Sequence, residues 1–415
     1  MSFQQGLSGL SGASKNLDVI GNNIANVSTV GFKSSRVEFA DVYANSLFGT
    51  GALQPGIGTQ VAAISQQFSQ GNISLTNNPL DIAINGNGFF VLDDNGSPVY
   101  SRSGQFQLDR NGFIVNNTGQ KLTGLTGSLL GPLQITAVNN DPQATTEVAL
   151  AVNLDSREPI PSSAFSFTPS VMGYNHSTTM TVYDSLGNAH ALNFYFRKTA
   201  PVAPAITPIT WDVYGSVTSS AGTTTALNGG AALGTLTFSP TGVLTGSTAT
   251  ALNIPATALG TGANPIDIPA GSLSFGASTQ FGSSFGIYSV NQNGYTTGQL
   301  AGLAIDEDGA INGRYTNGQT QTLGQIVLTN FPNPQGLLAL GNNLWAETTA
   351  SGQRINPQPP GSPNLGILRS GAVEESNVDL TQELVNLIVA QRLYQANAQT
   401  IRAQDQILQT LVNLR

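Results

Sequence analysis

Cysteine is absent from the 415 residues, which removes disulfides, thiolate metal sites and cysteine nucleophiles together. That absence suits a protein that leaves the cytoplasm without oxidative folding. Charge is scarce too: Asp, Glu, Lys and Arg make up 9% of the chain, against about a quarter in ordinary globular domains. Gly, Ser, Thr, Asn and Gln supply the surface vocabulary instead, so the surface should respond little to salt. The formal net charge is −8, and no basic residue occurs from Thr199 to Val290. Phosphate recognition needs clustered Lys and Arg, so nucleic acid is not expected as a partner. No run approaches the roughly eighteen consecutive apolar residues of a membrane span, so no membrane insertion is expected. The start of the chain lacks the basic and apolar regions of a secretory signal. If exported, the protein is expected to leave by a route without a cleaved signal peptide.

Catalytic chemistry is equally thin. The histidines are His176 and His190 alone, in a β-rich stretch with no neighbouring carboxylate cluster, which leaves no metal site or triad. Asp93-Asp94-Asn95-Gly96 and Asp306-Glu307-Asp308-Gly309 have the composition of calcium loops. Both lack the alternating oxygen ligands and the distant bidentate Glu, so they read as turns. Gly56-Ile57-Gly58 has no P-loop lysine. The chain is read as a non-enzyme with no catalytic, metal or cofactor-binding residues.

What is present begins with a helix. Phe3, Leu7, Leu10, Ala13, Leu17, Ile20, Ile24 and Val27 recur at spacings of three and four, one apolar stripe of a helix. Gly31 is placed to close it in the left-handed conformation. The C-terminal segment repeats the pattern as a heptad: Leu380, Leu387, Tyr394, Ile401 and Leu408, interleaved with Leu384, Gln391, Ala398, Asp405 and Val412. Asp379 stands as N-cap with Gln382 as a capping-box partner. Two stripes at opposite ends of one chain can meet as a coiled coil, leaving other apolar positions such as Ile388, Leu393, Ile407, Leu411 and Leu414 for neighbouring copies.

Between these ends the period is two. Short alternating runs such as Gly88 to Leu92 and Phe106 to Leu108 are separated by Asp94-Asn95-Gly96, Arg110-Asn111-Gly112 and Asn117-Thr118-Gly119, which predict hairpins. The same texture returns after Val290, at Glu307-Asp308-Gly309 and Thr316-Asn317-Gly318. The fold class is therefore mainly β with α-helical coiled-coil termini. The expected order is an N-terminal helix over 1–31, a connector over 32–71 and the first part of an inner β-domain over 72–145. An outer β-sandwich or barrel inserted at 146–286 follows, then the second inner part at 287–354, a Pro-rich connector at 355–375 and a C-terminal helix over 376–415. Within the insertion, Thr179 to Tyr183, Ala191 to Phe196, Trp211 to Val217 and Leu233 to Phe238 alternate, whereas Ser219 to Ala232 has the low complexity of a loop.

The run from Asn16 through Asn22-Asn23-Ile24-Ala25-Asn26-Val27-Ser28-Thr29-Val30-Gly31-Phe32-Lys33 closely resembles the N-terminal signature of the flagellar rod and hook axial proteins. Ser376-Asn377-Val378-Asp379-Leu380, Glu383-Leu384 and Gln391 to Asn397 resemble the C-terminal one. The central insertion is not clearly covered. Its length of about 140 residues points, within that family, to the hook and away from the shorter rod members. The resemblance implies a homopolymeric helical tube that acts as a universal joint carrying torque from rod to filament. The terminal helices would form its inner wall, using Phe3, Leu7, Leu10, Leu17, Ile20, Ile24 and Val27 on one side and Leu380, Leu384, Leu387, Tyr394, Ala398, Ile401, Leu408 and Val412 on the other. Asn22, Asn23, Asn26, Thr29, Gly31 and Phe32 would turn the chain out of the helix. Uncharged Gln4, Gln5, Asn16, Asn22, Asn23, Asn397 and Gln404 would line a channel. Implied partners are the distal rod protein, the hook cap, the hook–filament junction proteins and the flagellar type III export apparatus; the implied place is the extracellular hook and basal body. Two other readings stand beside it: a distal rod subunit, and a secreted β-rich carbohydrate-binding protein or enzyme using Trp211, Tyr174, Tyr183 and Tyr195.

Overall fold

The computed structural model describes residues 2–42, 56–136, 139–167, 173–199 and 209–413. The side chain of Val412 and those of Leu411 and Leu414 lie outside the described residues, as do 43–55 of the first connector. Two compact units result: Met1–Ala137 with Gly302–Arg314 and Thr320–Arg415, and Val138–Ala301 with Tyr315–Gln319. The second unit begins earlier and ends later than the 146–286 read from composition. Strand Val148–Asn153 pairs antiparallel with Gly286–Gln292, and Asn139–Asn140 pairs with Gln299 and Gly298. These pairings draw the flanks into the inserted unit.

The first unit carries both helices, Ser2–Ala25 and Leu380–Asn413. Its main sheet runs in the order Ala310–Tyr315, Thr320–Ile326, Lys121–Thr126, Phe89–Asp94, Ser97–Ser101, Leu344–Ala346 and Leu338–Gly341. Strands of the two sequence-distant β-stretches thus share one sheet, three of the first flanked on both sides by two of the second. Asn95 and Gly96 take φ of 53° and 94°, the mirror-image turn that matches strand twist. Phe89, Tyr100, Phe331 and Trp345 pack edge to face beneath the sheet, the geometry favoured by ring quadrupoles.

Both connectors carry strands. Ser35–Val42 pairs antiparallel with Gly58–Gln66. Within the proline-rich stretch, Ile367–Ser370 pairs with Ile82–Asn85, and Ala372–Glu374 pairs with Ile73–Leu75. Composition missed the latter two because each strand is short and its partner lies far away in sequence.

In the second unit a sheet ordered His176–Tyr183, Ala189–Thr199, Ile209–Thr218, Gly234–Phe238 and Leu244–Ser247 faces smaller sheets built from Val148–Asn153, Leu252–Ile254 and Ile266–Ile268. His190, Leu192, Phe194 and Phe196 alternate inward. Leu192, Phe194 and Phe196 join Trp211, Phe238, Val152, Ile254 and Phe275 in one core. The run Ser219 to Ala232 is not simply a loop: Thr224–Ala226 pairs with Ile209–Thr218, and Leu227 is buried.

Candidate functional site

The two terminal helices pack antiparallel. A Cβ built on Gly6 would lie 3.0 Å from Ile401 Cγ1, and one on Gly9 would lie 2.8 Å from Asn397 Nδ2. At the other end Asn23 Nδ2 donates to Glu383 Oε1 at 3.2 Å. Gly6, Gly9, Ala13, Asn16, Ile20 and Asn23 therefore form the face turned to the partner helix, still at heptad spacing. Small residues let the backbones approach closely. The expected stripe is rotated away from this seam: Ile20 is buried, Leu10, Leu17, Ile24 and Val27 are half-buried, and Phe3 and Leu7 are exposed.

The C-terminal helix shows a matching offset. Glu383, Ala390 and Asn397 face the N-terminal helix, one residue before Leu384, Gln391 and Ala398. Ala398, Leu387 and Ile401 are half-buried, while Leu380, Leu384, Tyr394 and Leu408 are exposed. Asp379 caps the helix by accepting from Thr381 N at 2.9 Å and Gln382 N at 3.1 Å. Gln382 does not complete a capping box, since its amide donates down the helix to Asn386.

A third element completes the packing. Gln5 Nε2 donates to Gly56 O at 2.6 Å, and Thr59 N to Ser8 Oγ at 3.2 Å. A Cβ on Gly12 would meet the Phe39 ring at 3.1 Å. The strand pair thus lies against the N-terminal helix on a side other than the seam. Of the amides expected to line a channel, Gln5 is engaged with Gly56, while Asn16 and Asn397 sit at the seam. Asn23 is 1% exposed, whereas Asn16 and Asn397 are half-buried.

The turn signature resolves into named hydrogen bonds. Asn23 grips Ser35 twice, Nδ2 donating to its carbonyl at 2.8 Å and Oδ1 accepting its amide at 2.9 Å. Asn26 Nδ2 donates to Asn22 O, and Thr29 Oγ1 donates to Asn26 Oδ1. The helix itself ends at Ala25, six residues before Gly31 (25 to 31). Gly31 holds φ at 72°, and a Cβ there would lie 2.7 Å from Ser103 N. No other residue fits both constraints. Phe32 closes the turn by donating its amide to Thr29 O at 3.2 Å.

Below the turn the two arms are laced together. Gly31 N donates to Glu374 O at 2.7 Å and Ser34 N to Asn377 Oδ1 at 2.7 Å. Between them Lys33 Nζ meets Glu374 Oε1 at 2.6 Å, with both side chains fully buried. Arg102 Nη1 approaches Glu374 Oε2 at 3.4 Å. Burial pulls the Lys33 ammonium below its usual value, and Glu374 opposes that pull; Arg102 is lowered for the same reason. Sequence reasoning quoted Lys33 within the signature but assigned no role to it, to Arg102 or to Glu374, because an isolated charge says nothing of a partner 341 residues away.

The readings for chemistry take definite places as well. His190 Nε2 sits 3.0 Å from Asp184 Oδ2, both fully buried. Asp184 also accepts from Thr261 and from the Asn188 amide, a knot that ties a turn to the core. Among the described residues no group of three metal-ligating side chains occurs. Trp211 is fully buried and offers no platform. Tyr174 and Tyr195 do meet, 4.9 Å apart, under Phe165, which stacks on Tyr214.

Residues 3–33 match the family model described as flagella basal body rod protein, and 369–414 the C-terminal model of the flagellar basal body rod FlgEFG protein. Residues 83–153 match the flagellar hook protein FlgE/F/G D1 domain, and 153–295 the flagellar basal body protein FlaE D2 domain. Paired helices joined to such domains define an axial protein of the bacterial flagellum. The chain is 44% identical to the flagellar hook protein FlgE of Salmonella typhimurium and to that of Escherichia coli, over 100% of each chain. It is 33% identical to that of Borreliella burgdorferi over 100% of this chain and 99% of the relative. The crystal structure of the Helicobacter pylori flagellar hook protein FlgE2 shares the fold, with a TM-score of 0.54 at 15% identity, covering 72% of this chain and 100% of that one. The chain belongs to the flagellar hook protein family and is a structural subunit of the hook.

Proposed function

We propose that this subunit polymerises into the hook tube through the exposed outer face of its paired terminal helices, using Phe3, Leu7, Leu380, Leu384, Tyr394 and Leu408 against neighbouring copies. The observation that carries the reading is the inversion of the pair. Small and amide residues occupy the intramolecular seam, while large apolar side chains face outward; Leu408 is 56% exposed. Exposed apolar area on this scale marks an interface. The described helix of 34 residues, about 50 Å long, also runs past the start of its 24-residue partner, so its last turns have no helix cover among the described residues. Assembly covers them. The distal rod, the cap, the junction proteins and the type III export apparatus are the partners this role calls for, with export in an unfolded form. The resemblance to the axial proteins implies that the helices form the inner tube, with the β-units outside it. Electron microscopy of the purified, concentrated protein should show a curved supercoiled tube. A straight rigid tube would favour a rod subunit, and no polymer at any concentration would reject the reading.

A further inference from the structure

Glu374 is satisfied from three sides. Its Oε1 accepts from Lys33 Nζ and from Gly71 N at 2.9 Å, and its Oε2 faces Arg102. Arg102 in turn donates to Gly86 O at 2.9 Å and lies over the Phe89 ring. Gly71 lies just before strand Ile73–Leu75, Arg102 just after Ser97–Ser101, and Glu374 ends the strand leading toward the C-terminal helix; Lys33 alone comes from the turn below the N-terminal helix. Without Lys33 the socket still holds one carboxylate, one guanidinium and a backbone donor, a neutral and hydrogen-bonded set. With Lys33 it gains a second cation, which also donates to Ser69 O at 2.8 Å.

We propose that Lys33 is a removable plug. The β-part folds around the Glu374–Arg102 pair, and insertion of the Lys33 ammonium then locks the N-terminal arm to the C-terminal arm, setting the register in which the two helices meet. Lys33 is a positioning residue for assembly. It touches no neighbouring copy in this reading, which rests on the tube-forming role proposed above.

The geometry dictates an unequal response to substitution. Lys33→Met leaves a paired anion and cation. Glu374→Gln strands two buried cations, which costs far more than removing a partner at the surface. Adding Lys33→Met to Glu374→Gln relieves part of that damage. The test uses the full chain with Trp211→Phe, which leaves Trp345 as its one tryptophan, in four forms: otherwise unsubstituted, K33M, E374Q and K33M/E374Q. Trp345 fluorescence during urea unfolding reads the β-part, amide exchange at Gly31 and Ser34, whose amides bond across to Glu374 and Asn377, reads arm closure, and pelleting with microscopy reads tubes.

K33M should leave the Trp345 transition in place, speed exchange at the two amides by about tenfold or more and raise the concentration needed for tubes. The double variant should be milder than E374Q alone. Loss of the Trp345 transition in K33M would overturn the proposal, since the socket would then not stand without its plug. So would unchanged exchange in K33M, unprotected amides in the unsubstituted chain, or a double variant no milder than E374Q. If the unsubstituted chain forms no tubes, the assembly role fails, while exchange and unfolding still judge the plug.

Discussion

Gly31 and Asn23 show how much of a signature is backbone chemistry. Gly31→Ala must place a Cβ 2.7 Å from a backbone nitrogen while holding φ at 72°. The left-handed conformation alone costs about 1–2 kcal/mol, and the contact adds to it. A fall of at least about 2 kcal/mol in the stability of the first unit is expected, read from urea unfolding followed at Trp345; an unshifted midpoint would refute the assignment. The paired asparagines divide sharply. Asn23→Ala removes three hydrogen bonds from a buried site and should cost about 1–3 kcal/mol, while Asn22→Ala, at an exposed position, should stay within about 0.5 kcal/mol. Equal effects from the two would contradict the clamp. Sequence reading singled out both asparagines but could not rank them, since burial depends on where Ser35 and Glu383 return in space.

At the scale of elements, local chemistry was legible and long-range pairing was not. Asn95-Gly96 announces its own hairpin, and Asp379 its own cap, because each needs only neighbours in sequence. The helix stripes were legible as helices yet misplaced as a seam: glycine and asparagine at 6, 9, 16 and 23 carry no hydrophobic signal, so the apolar residues beside them were read as the contact. Strands Ile367–Ser370 and Ala372–Glu374 were invisible among prolines for the same reason that Lys33 and Glu374 were, since their partners lie hundreds of residues away. The seam makes a prediction of its own. Gly9→Leu must displace Asn397 and prise the helices apart, so tube formation should fall while the Trp345 transition holds. Truncation from Leu387 onward should abolish polymerisation and leave the β-units folded by circular dichroism. Intact tubes from either variant would refute the role given to the pair.

For the molecule as a whole, acid is the condition that tells the units apart. Hydrogen bonding from Arg157 holds the Asp155 carboxyl at about 2. Burial would raise Asp184, but hydrogen bonds from His190, Asn188 and Thr261 outweigh it and leave it below the usual range. Both folded values lie below the unfolded value near 4. Their contribution is therefore complete above about pH 4 and fades as pH falls toward about 2. His176, lowered chiefly by burial, acts in the same direction below its ordinary value near 6.5. With Trp345→Phe, Trp211 reports the second unit alone, and its urea midpoint should drop across that acid range. Asp155→Asn should flatten part of the drop. A midpoint constant down to pH 2 would show that these carboxylates are not held in the folded state.

The helix pair is fastened very differently at its two ends. Near the root, Asn23, Glu383 and the Lys33 plug fix position to within a hydrogen bond. Toward the tip the contact is steric: Ile401 and Asn397 seat directly against the bare backbone of Gly6 and Gly9. Longitudinal shear between the helices is thus stopped by directional bonds at one end and by shape alone at the other. Strain that reaches a subunit through its β-units would meet the weaker restraint at the tip, with the root acting as the fixed point about which the overlap is reset.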